Sequence, residues 1–292
     1  MTGLLFGVNV STSAEPRADP VADAQAAEAL GFDFVSASDH PCGTHPTYET
    51  WTLLSWIAAS TTHIKVASRV LGVPFRAPPM LAKMAESLDR LSGGRLVLGL
   101  GAGASEDETG AFGLGRRSPR ERIDGLEEVV RIVRGLWTQP AFSFAGQHYR
   151  TDRAELEPKP AHRIPVWLGT FGNRALAVTG RLADGWIPSL AYAPPERVGA
   201  MRDRVLGAAR LAGRDAADIT CVYNVEVRVD ERAEPRPNVV TGAPETVAEQ
   251  LRGFLALGFT GINFLPVGPD PQEQAHRLAA EVLPLVRAEV AG

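Results

Sequence analysis

Short apolar runs alternate with longer stretches of helical period along nearly the whole chain. The runs are LLFGVNV, FDFVSAS, IKVASRVLG, RLVLGLGAG, IPVWLGT, DGWIPS, ITCVYNVEVRV and TGINFLPV, eight strand candidates, and each is followed by a helix candidate. Strand–helix repetition of this kind predicts parallel strands joined by crossover helices, and eight such units close a (β/α)8 TIM barrel. Helix boundaries are marked by local chemistry. Asp19 suits a cap with Pro20 in the first turn and Gly31 beyond the end. Leu81, Met84, Leu88 and Leu91 make one apolar face before Gly93-Gly94. Ser118-Pro119-Arg120-Glu121 reads as a capping box opening a helix whose stripe is Ile123, Leu126, Val130, Val133 and Trp137. Later helices are expected at Asn173–Ala183, about 195–212, about 244–257, and from the box-like Asp270-Pro271-Gln272-Glu273 onward.

Residues 138–163 interrupt this rhythm with turn formers and β-like fragments but no helical stripe. They read as an insertion between the fourth helix and the fifth strand, with Phe142, Phe144, His148 and Tyr149 placed to form a lid or wall over a substrate. With that insertion, residues 1–292 are read as a single barrel domain.

Composition narrows the function classes. The 292 residues are 45% apolar and 22% charged, as in a globular protein able to bury a large core. A net charge of −4 with no long run of either sign gives no electrostatic footprint for nucleic acid. There is no apolar span long enough to cross a membrane, and MTGLLFGVNVSTSAEP lacks the basic start and long apolar stretch of a secretory signal, so a cytoplasmic protein is expected. The two cysteines, Cys42 and Cys221, are far apart and suggest no disulfide framework.

In a TIM barrel the chemistry gathers at the carboxyl ends of the strands. Asp39 and His40 end the second strand, Gly99, Gly101 and Gly103 end the fourth, and Gly169, Thr170, Gly172 and Asn173 follow the fifth. The segment SASDHPCGTHP offers His40, Cys42 and His45 as a conceivable metal set, but no further imidazole or thiol stands at the other strand ends. Cys42 is read as a small apolar filler and His45 as a solvated loop residue. His40 is read as the proton-handling group, beside an Asp39 carboxylate able to orient it, against the alternative of a loop-bonding histidine. GLGAGAS is not a dinucleotide fingerprint, and tight strand packing accounts for it as well. GTFGNRA is either a phosphate cradle at a helix start, aided by Arg174, or a plain glycine turn with Asn173 as cap.

The segments LAKMAESLDRLSGGRLVLGLGAG, PVWLGTFGNRALAVTGRLADGWIP and LGFTGINFLPVG, with SDH after the second strand, resemble the luciferase-like monooxygenases, and more closely their shorter branch that uses coenzyme F420. The likeness runs in order over nearly the entire chain. It implies an oxidoreductase moving a hydride between F420 and a small organic substrate, in a homodimer that pairs through helices of the first half of the barrel. It implies that Asp39 and His40 lie at the deazaflavin with His40 catalytic, and that Ala102 and Gly103 contact the cofactor. Phe171, Gly172, Arg174 and Ala175 would hold its phosphate end, with Gly169, Thr170 and Asn173 in the same loop. A non-prolyl cis peptide in the third strand, near Ser68, Arg69 and Val70, would back the ring. The sugar-phosphate dehydrogenases of the family carry a glutamate where this chain has Ala104, which argues against a sugar phosphate. Asp107 is the nearest carboxylate to replace it, read more readily as a water-facing charge. Two alternatives remain open at this point: an FMN-dependent monooxygenase using reduced flavin and oxygen, and a ligand-binding barrel without catalysis.

Overall fold

The computed structural model describes residues 3–103 and 106–290. Its strands are β1 (Leu5–Asn9), β2 (Phe34–Ala37), β3 (Lys65–Ser68), β4 (Leu71–Gly72), β5 (Leu96–Gly101), β6 (Phe142–Ala145), β7 (Arg150–Ala154), β8 (Val166–Leu168), β9 (Gly185–Trp186), β10 (Thr220–Val229), β11 (Val239–Gly242) and β12 (Gly261–Pro266). The helices are α1 (Pro20–Ala29), α2 (Thr50–Ser60), α3 (Pro78–Leu91), α4 (Glu106–Ala111), α5 (Pro119–Thr138), α6 (Asn173–Leu182), α7 (Pro195–Leu211), α8 (Pro244–Ala256), α9 (Pro271–Arg277) and α10 (Leu283–Val290), the last two joined by a π-helical turn at Leu278–Val282. Strands β1, β2, β3, β5, β8, β9, β10 and β12 pair in parallel in that order, and β12 returns to β1, closing the eight-stranded barrel. Each of the eight apolar runs supplies one barrel strand.

The barrel interior is built on a two-residue rule. Because successive strand residues point to opposite faces, residues i and i+2 share a face. Phe34, Ala67, Val97, Trp167, Ile187 and Val222 form one buried cluster. Two positions further along each strand stand Ser36, Arg69, Gly99, Gly169, Ser189 and Asn224. An apolar plug is thus overlaid, toward the carboxyl end, by a layer that is polar or has no side chain.

That second layer is hydrogen-bonded across the barrel. Ser36 Oγ donates to Asn263 Oδ1 at 3.1 Å, Asn263 Nδ2 to Asn224 Oδ1 at 2.8 Å, and Asn224 Nδ2 to Ser189 Oγ at 3.2 Å. Its glycines admit close approach. A Cβ on Gly99 would stand 1.9 Å from the Ser68 carbonyl oxygen, and one on Gly101 2.6 Å from Val70 Cγ2. This room lets the third strand bulge between β3 and β4, where the Arg69–Val70 peptide is cis.

Helix starts follow the sequence signals where a side chain can reach. Asp19 accepts from Ala22 N, and Ser118 and Glu121 form the reciprocal capping box. Leu126, Val130, Val133 and Trp137 are buried along α5. Two expectations are corrected. Leu91 is 87% exposed, because α3 ends there and turns its last residue outward. Asn173 is the first helical residue of α6, and its cap is Gly172, which has no side chain to bond the free amides.

The segment 138–163 holds the β6–β7 antiparallel hairpin, and Phe142, Phe144, His148 and Tyr149 line neither of the two cavities at the barrel mouth. Glu128 of α5 accepts from the backbone amides of Gln147, His148 and Tyr149 at 2.7, 3.0 and 2.9 Å, which fastens the hairpin tip to that helix. Phe142 lies over Gly135, where a Cβ would be 2.2 Å from its ring. Among the described residues no helix is long and apolar enough to cross a membrane.

Two stability outcomes follow. Gly99→Ala forces a methyl into backbone and is expected to cost about 2 kcal/mol or more, whereas Gly172→Ala, with open space at that Cβ, stays within about 0.5 kcal/mol, both read from urea midpoints. Glu28 carries the α1-to-β3 connection: desolvation raises its pKa, but the amides of His63, Ile64 and Thr62 outweigh this and hold it at about 2 against 4.5. A depressed carboxylate contributes stability that is complete above pH 4.5 and fades as pH falls toward about 2. Glu28→Gln therefore flattens the acid limb of the stability curve in that window, and an unchanged limb would show that these amide bonds contribute nothing.

Candidate active site

The loops after β2, β5 and β8 converge on one rim and enclose two joined cavities. The first, about 400 Å³, is lined by Asp39, His40, Arg69, Val70, Phe75 and Glu108 among others, and includes Ser189 and Asn224 of the polar layer. The second, about 770 Å³, runs from Ala102 and Gly103 to Gly169–Ala175 at the start of α6 and to Arg120 and Arg122 of α5. Ala102, Gly103, Gly169 and Phe171 line both, so the two form a single groove from the barrel mouth outward.

At the mouth, His40 and Asp39 part company. The Asp39 carboxylate is buried and accepts from Arg76 Nη1 at 2.7 Å, Arg76 Nη2 at 3.0 Å and Gly72 N at 2.9 Å. No hydrogen bond joins this carboxylate to the neighbouring imidazole, which is bonded elsewhere, and this corrects the expectation that Asp39 orients His40. Desolvation lowers the pKa of Arg76, but its bonds to Asp39 and Glu49 raise it further, so the guanidinium stays charged. The partner of His40 is Glu108, whose Oε1 lies 2.9 Å from Nδ1. The imidazole is 65% exposed while Glu108 is only 15% exposed.

Glu108, on the short helix α4, was missed in the sequence. Asp107, the carboxylate considered there, is exposed, and Ala104 lies outside the described residues. Cys42 is half-buried, His45 is exposed, and among the described residues no cluster of three or more His, Cys, Asp or Glu is placed to hold a metal. Burial pushes the Cys221 thiol up to about 11, despite Arg202 beside it, so it is inert as a nucleophile.

The other predicted residues divide into those that reach the groove and those that serve the walls. Val70 sits against Gly101 and Gly169, and Gly103, with φ +75°, packs its backbone on Pro74. Ser68 is a correction: it is fully buried, it lines neither cavity, and its hydroxyl bridges to Gly99, donating to the carbonyl at 2.8 Å and accepting from the amide at 2.9 Å. Thr170 Oγ1 is paired with Thr179 Oγ1 at 2.7 Å.

The outer end of the groove is cationic. Arg120, Arg122 and Arg174 line it beside the uncapped amides of α6. Arg174 is ion-paired with Asp124, and Arg122 Nη1 donates to Gly103 O at 3.2 Å, tying the α5 helix to the glycine loop. Arg120 also faces Asp124, at 3.8 Å, so this helix amino end is a positive edge that one carboxylate partly offsets. Aromatic pairs flank the inner end: Phe75 against Phe112 at 6.1 Å and Phe171 against Tyr192 at 5.2 Å between ring centroids.

Comparison with known proteins agrees with this architecture. The chain is 28% identical over 314 aligned positions to an F420-dependent glucose-6-phosphate dehydrogenase of Nakamurella multipartita, covering 91% of this chain and 92% of that protein. It is 37% identical over 175 positions to an F420-dependent hydroxymycolic acid dehydrogenase of Mycobacterium tuberculosis, covering 57% and 48%. Among solved structures, an F420-dependent secondary alcohol dehydrogenase bound to an F420–acetone adduct superposes with a TM-score of 0.88 at 20% identity, over 98% of this chain and 99% of that one. The F420-dependent tetrahydromethanopterin reductase of Methanopyrus kandleri gives 0.82, also at 20% identity, over 97% and 99%. The family model for luciferase-like monooxygenases matches residues 3–237, and the chain belongs to that family.

Proposed function

We propose that this protein is an F420-dependent oxidoreductase that moves a hydride between the deazaflavin and a small organic substrate at the carboxyl-terminal mouth of the barrel. The observation that carries this reading is the His40–Glu108 pair at the inner end of a glycine-walled groove whose outer end is cationic. The residues fit the coenzyme: glycines and Val70 leave a flat wall for a ring, and Arg120, Arg122, Arg174 and the α6 amides suit its anionic side chain. The relatives that use F420 support the choice of cofactor.

When bound, the deazaflavin supplies a carbon that gives or takes the hydride. The protein supplies the proton. With Nδ1 of His40 donating to Glu108, the imidazole is held in one tautomer and its Nε2 is the atom that exchanges a proton with a substrate oxygen. A carbonyl reduced by hydride leaves an alkoxide that takes this proton, and an alcohol being oxidised gives one up. Phe75, Phe171 and Tyr192 offer apolar faces for the substrate's carbon skeleton. The absence of a carboxylate at Ala104 favours an apolar alcohol or ketone over a sugar phosphate.

The exposed face of α2 and α3 supports the homodimer. Trp56 is 67% and Met80 57% exposed there, beside Leu91 and a groove of about 490 Å³ lined by Trp51, Met84 and Leu88. A second copy covering these side chains removes an apolar patch that a monomer would leave in water.

Fluorescence titration with F420 and with FMN separates the cofactor readings: F420 binds and FMN does not, and a protein that binds neither is a barrel of another kind. His40→Ala keeps the F420 dissociation constant and loses about 10²- to 10⁴-fold in kcat/KM, while Glu108→Gln loses about tenfold or more and shifts the pH profile. Equal turnover in His40→Ala rejects the proton-transfer role. In sedimentation, the wild type runs as a dimer and Trp56→Glu as a monomer; a monomeric wild type rejects the interface.

A further inference from the structure

Arg69 is the most unusual side chain at the mouth. Its Nε donates to Asn9 Oδ1 at 2.9 Å, but among the described residues neither terminal nitrogen has a hydrogen bond or ion pair. Neither is sealed away from the cavity, which Arg69 lines. Arg76, a few residues on, shows the contrast, since both its terminal nitrogens are spent on Asp39 and Glu49. Desolvation pulls the Arg69 pKa down to about 10, and Glu226 on β10 offsets this only through space. Among the described residues Glu226 makes no ion pair. A guanidinium so enclosed and so little neutralised is a receptor for electron-rich oxygen or nitrogen.

The receptor is rigid. Asn9 Oδ1, which holds Nε, also lies 3.4 Å from Ser36 Oγ, and Ser36 is the first link in the bonded chain through Asn263 and Asn224 to Ser189. Arg69 is therefore anchored by the floor of the barrel mouth, where the wall side chains are glycines. A bound deazaflavin in its reduced form would carry its negative charge on the N1–C2=O edge of the pyrimidinedione ring, the feature a guanidinium there would hold. The charge of Glu226 opposes any anion placed there, so it tempers the preference that Arg69 creates.

We infer that the terminal nitrogens of Arg69 bind the N1–C2=O edge of the deazaflavin and favour its reduced, anionic form, making Arg69 a redox-tuning residue of this chain. The inference rests on the F420 reading above. Its test compares dissociation constants for oxidised F420, by fluorescence, and for reduced F420, by anaerobic competition, in the wild type, Arg69→Gln, Arg69→Lys and Glu226→Gln. Arg69→Gln should weaken the reduced form about tenfold more than the oxidised one, which lowers the bound midpoint potential by about 30 mV. Arg69→Lys should retain part of the preference and Glu226→Gln should increase it, so the outcome does not hang on one variant's folding. Equal weakening of both forms, or an unchanged ratio in all three variants, overturns the assignment. So does an unchanged ratio accompanied by lost binding of phenylglyoxylate but not of acetophenone, which makes Arg69 a substrate-carboxylate receptor. A wild type that binds neither form of F420 overturns the cofactor reading and this inference with it, whereas tight binding with no redox preference overturns the inference alone.

Discussion

The architecture of the mouth depends on one steric constraint, the close approach of the third strand to Gly99, Gly101 and Gly169. A barrel of this size normally fills its interior with side chains in layers. Here the layer of Phe34, Val97, Trp167 and Val222 does so, but two positions later Val97 and Trp167 give way to Gly99 and Gly169. The space they release is taken by the third strand: the Ser68 carbonyl against Gly99, and the Val70 side chain against Gly101 and Gly169. The wall that results is made of main chain and one valine, which is flat, and its floor is amide and hydroxyl groups already bonded to one another. Since those polar groups satisfy each other, they tolerate a dry ligand above them without leaving buried donors unpaired.

The electrostatics of the rim follow from a division between two adjacent residues. Asp39 points inward and is consumed by Arg76 and the amide of Gly72, which ties the end of the second strand to the short turn ahead of α3. His40 points outward and meets Glu108 from a different loop. One carboxylate is spent on the strand-end scaffold and the other on the imidazole, although Asp39 is the one adjacent in sequence. A buried ion pair of this kind is costly to break, because the surviving charge has no water to turn to. The backbone that carries the neighbouring imidazole is thereby fixed.

How much of this was legible in the sequence depends on the range of the interaction. The eight strands were readable because each is largely buried and several stand beside helices with a clear apolar face, such as α3, α5 and α6, so pattern and burial say the same thing. The glycines at 99, 101 and 103 were readable as tight packing and Gly169 only as part of a cradle or turn, and none as a seat for Val70, since that needs the third strand's bulge. Glu108 was not legible: α4 is a single short helix in a surface loop, with no stripe to fix which of its acidic residues faces inward. Arg76 follows Val73-Pro74-Phe75 in a turn and gave no sign that it would reach back to Asp39. The hairpin was seen as irregular chain, but its anchor, Glu128 on α5, lies on the polar side of a helix where a carboxylate is normally solvated. Asn173 failed as a cap because Gly172 already occupies that position.

The groove's two ends are held by different physics, and this bears on how such a barrel changes substrate without losing its cofactor. The outer end uses formal charge and helix amides, which tolerate variation in what surrounds them, because attraction to an anion falls off gradually with distance. The inner end uses steric exclusion at glycine, which tolerates almost none. The aromatic side chains of the rim belong to neither end. Phe75, Phe112, Phe171 and Tyr192 belong to loops, and Tyr192 and Phe112 are largely in solvent. Replacing an aromatic there alters the shape offered to a substrate but moves no strand, whereas replacing Gly99 or Gly169 disturbs the wall itself. Variation among family members is therefore expected to concentrate in those aromatic loops and in the residue after Gly103, while the glycines and the polar floor set the chemistry that they share.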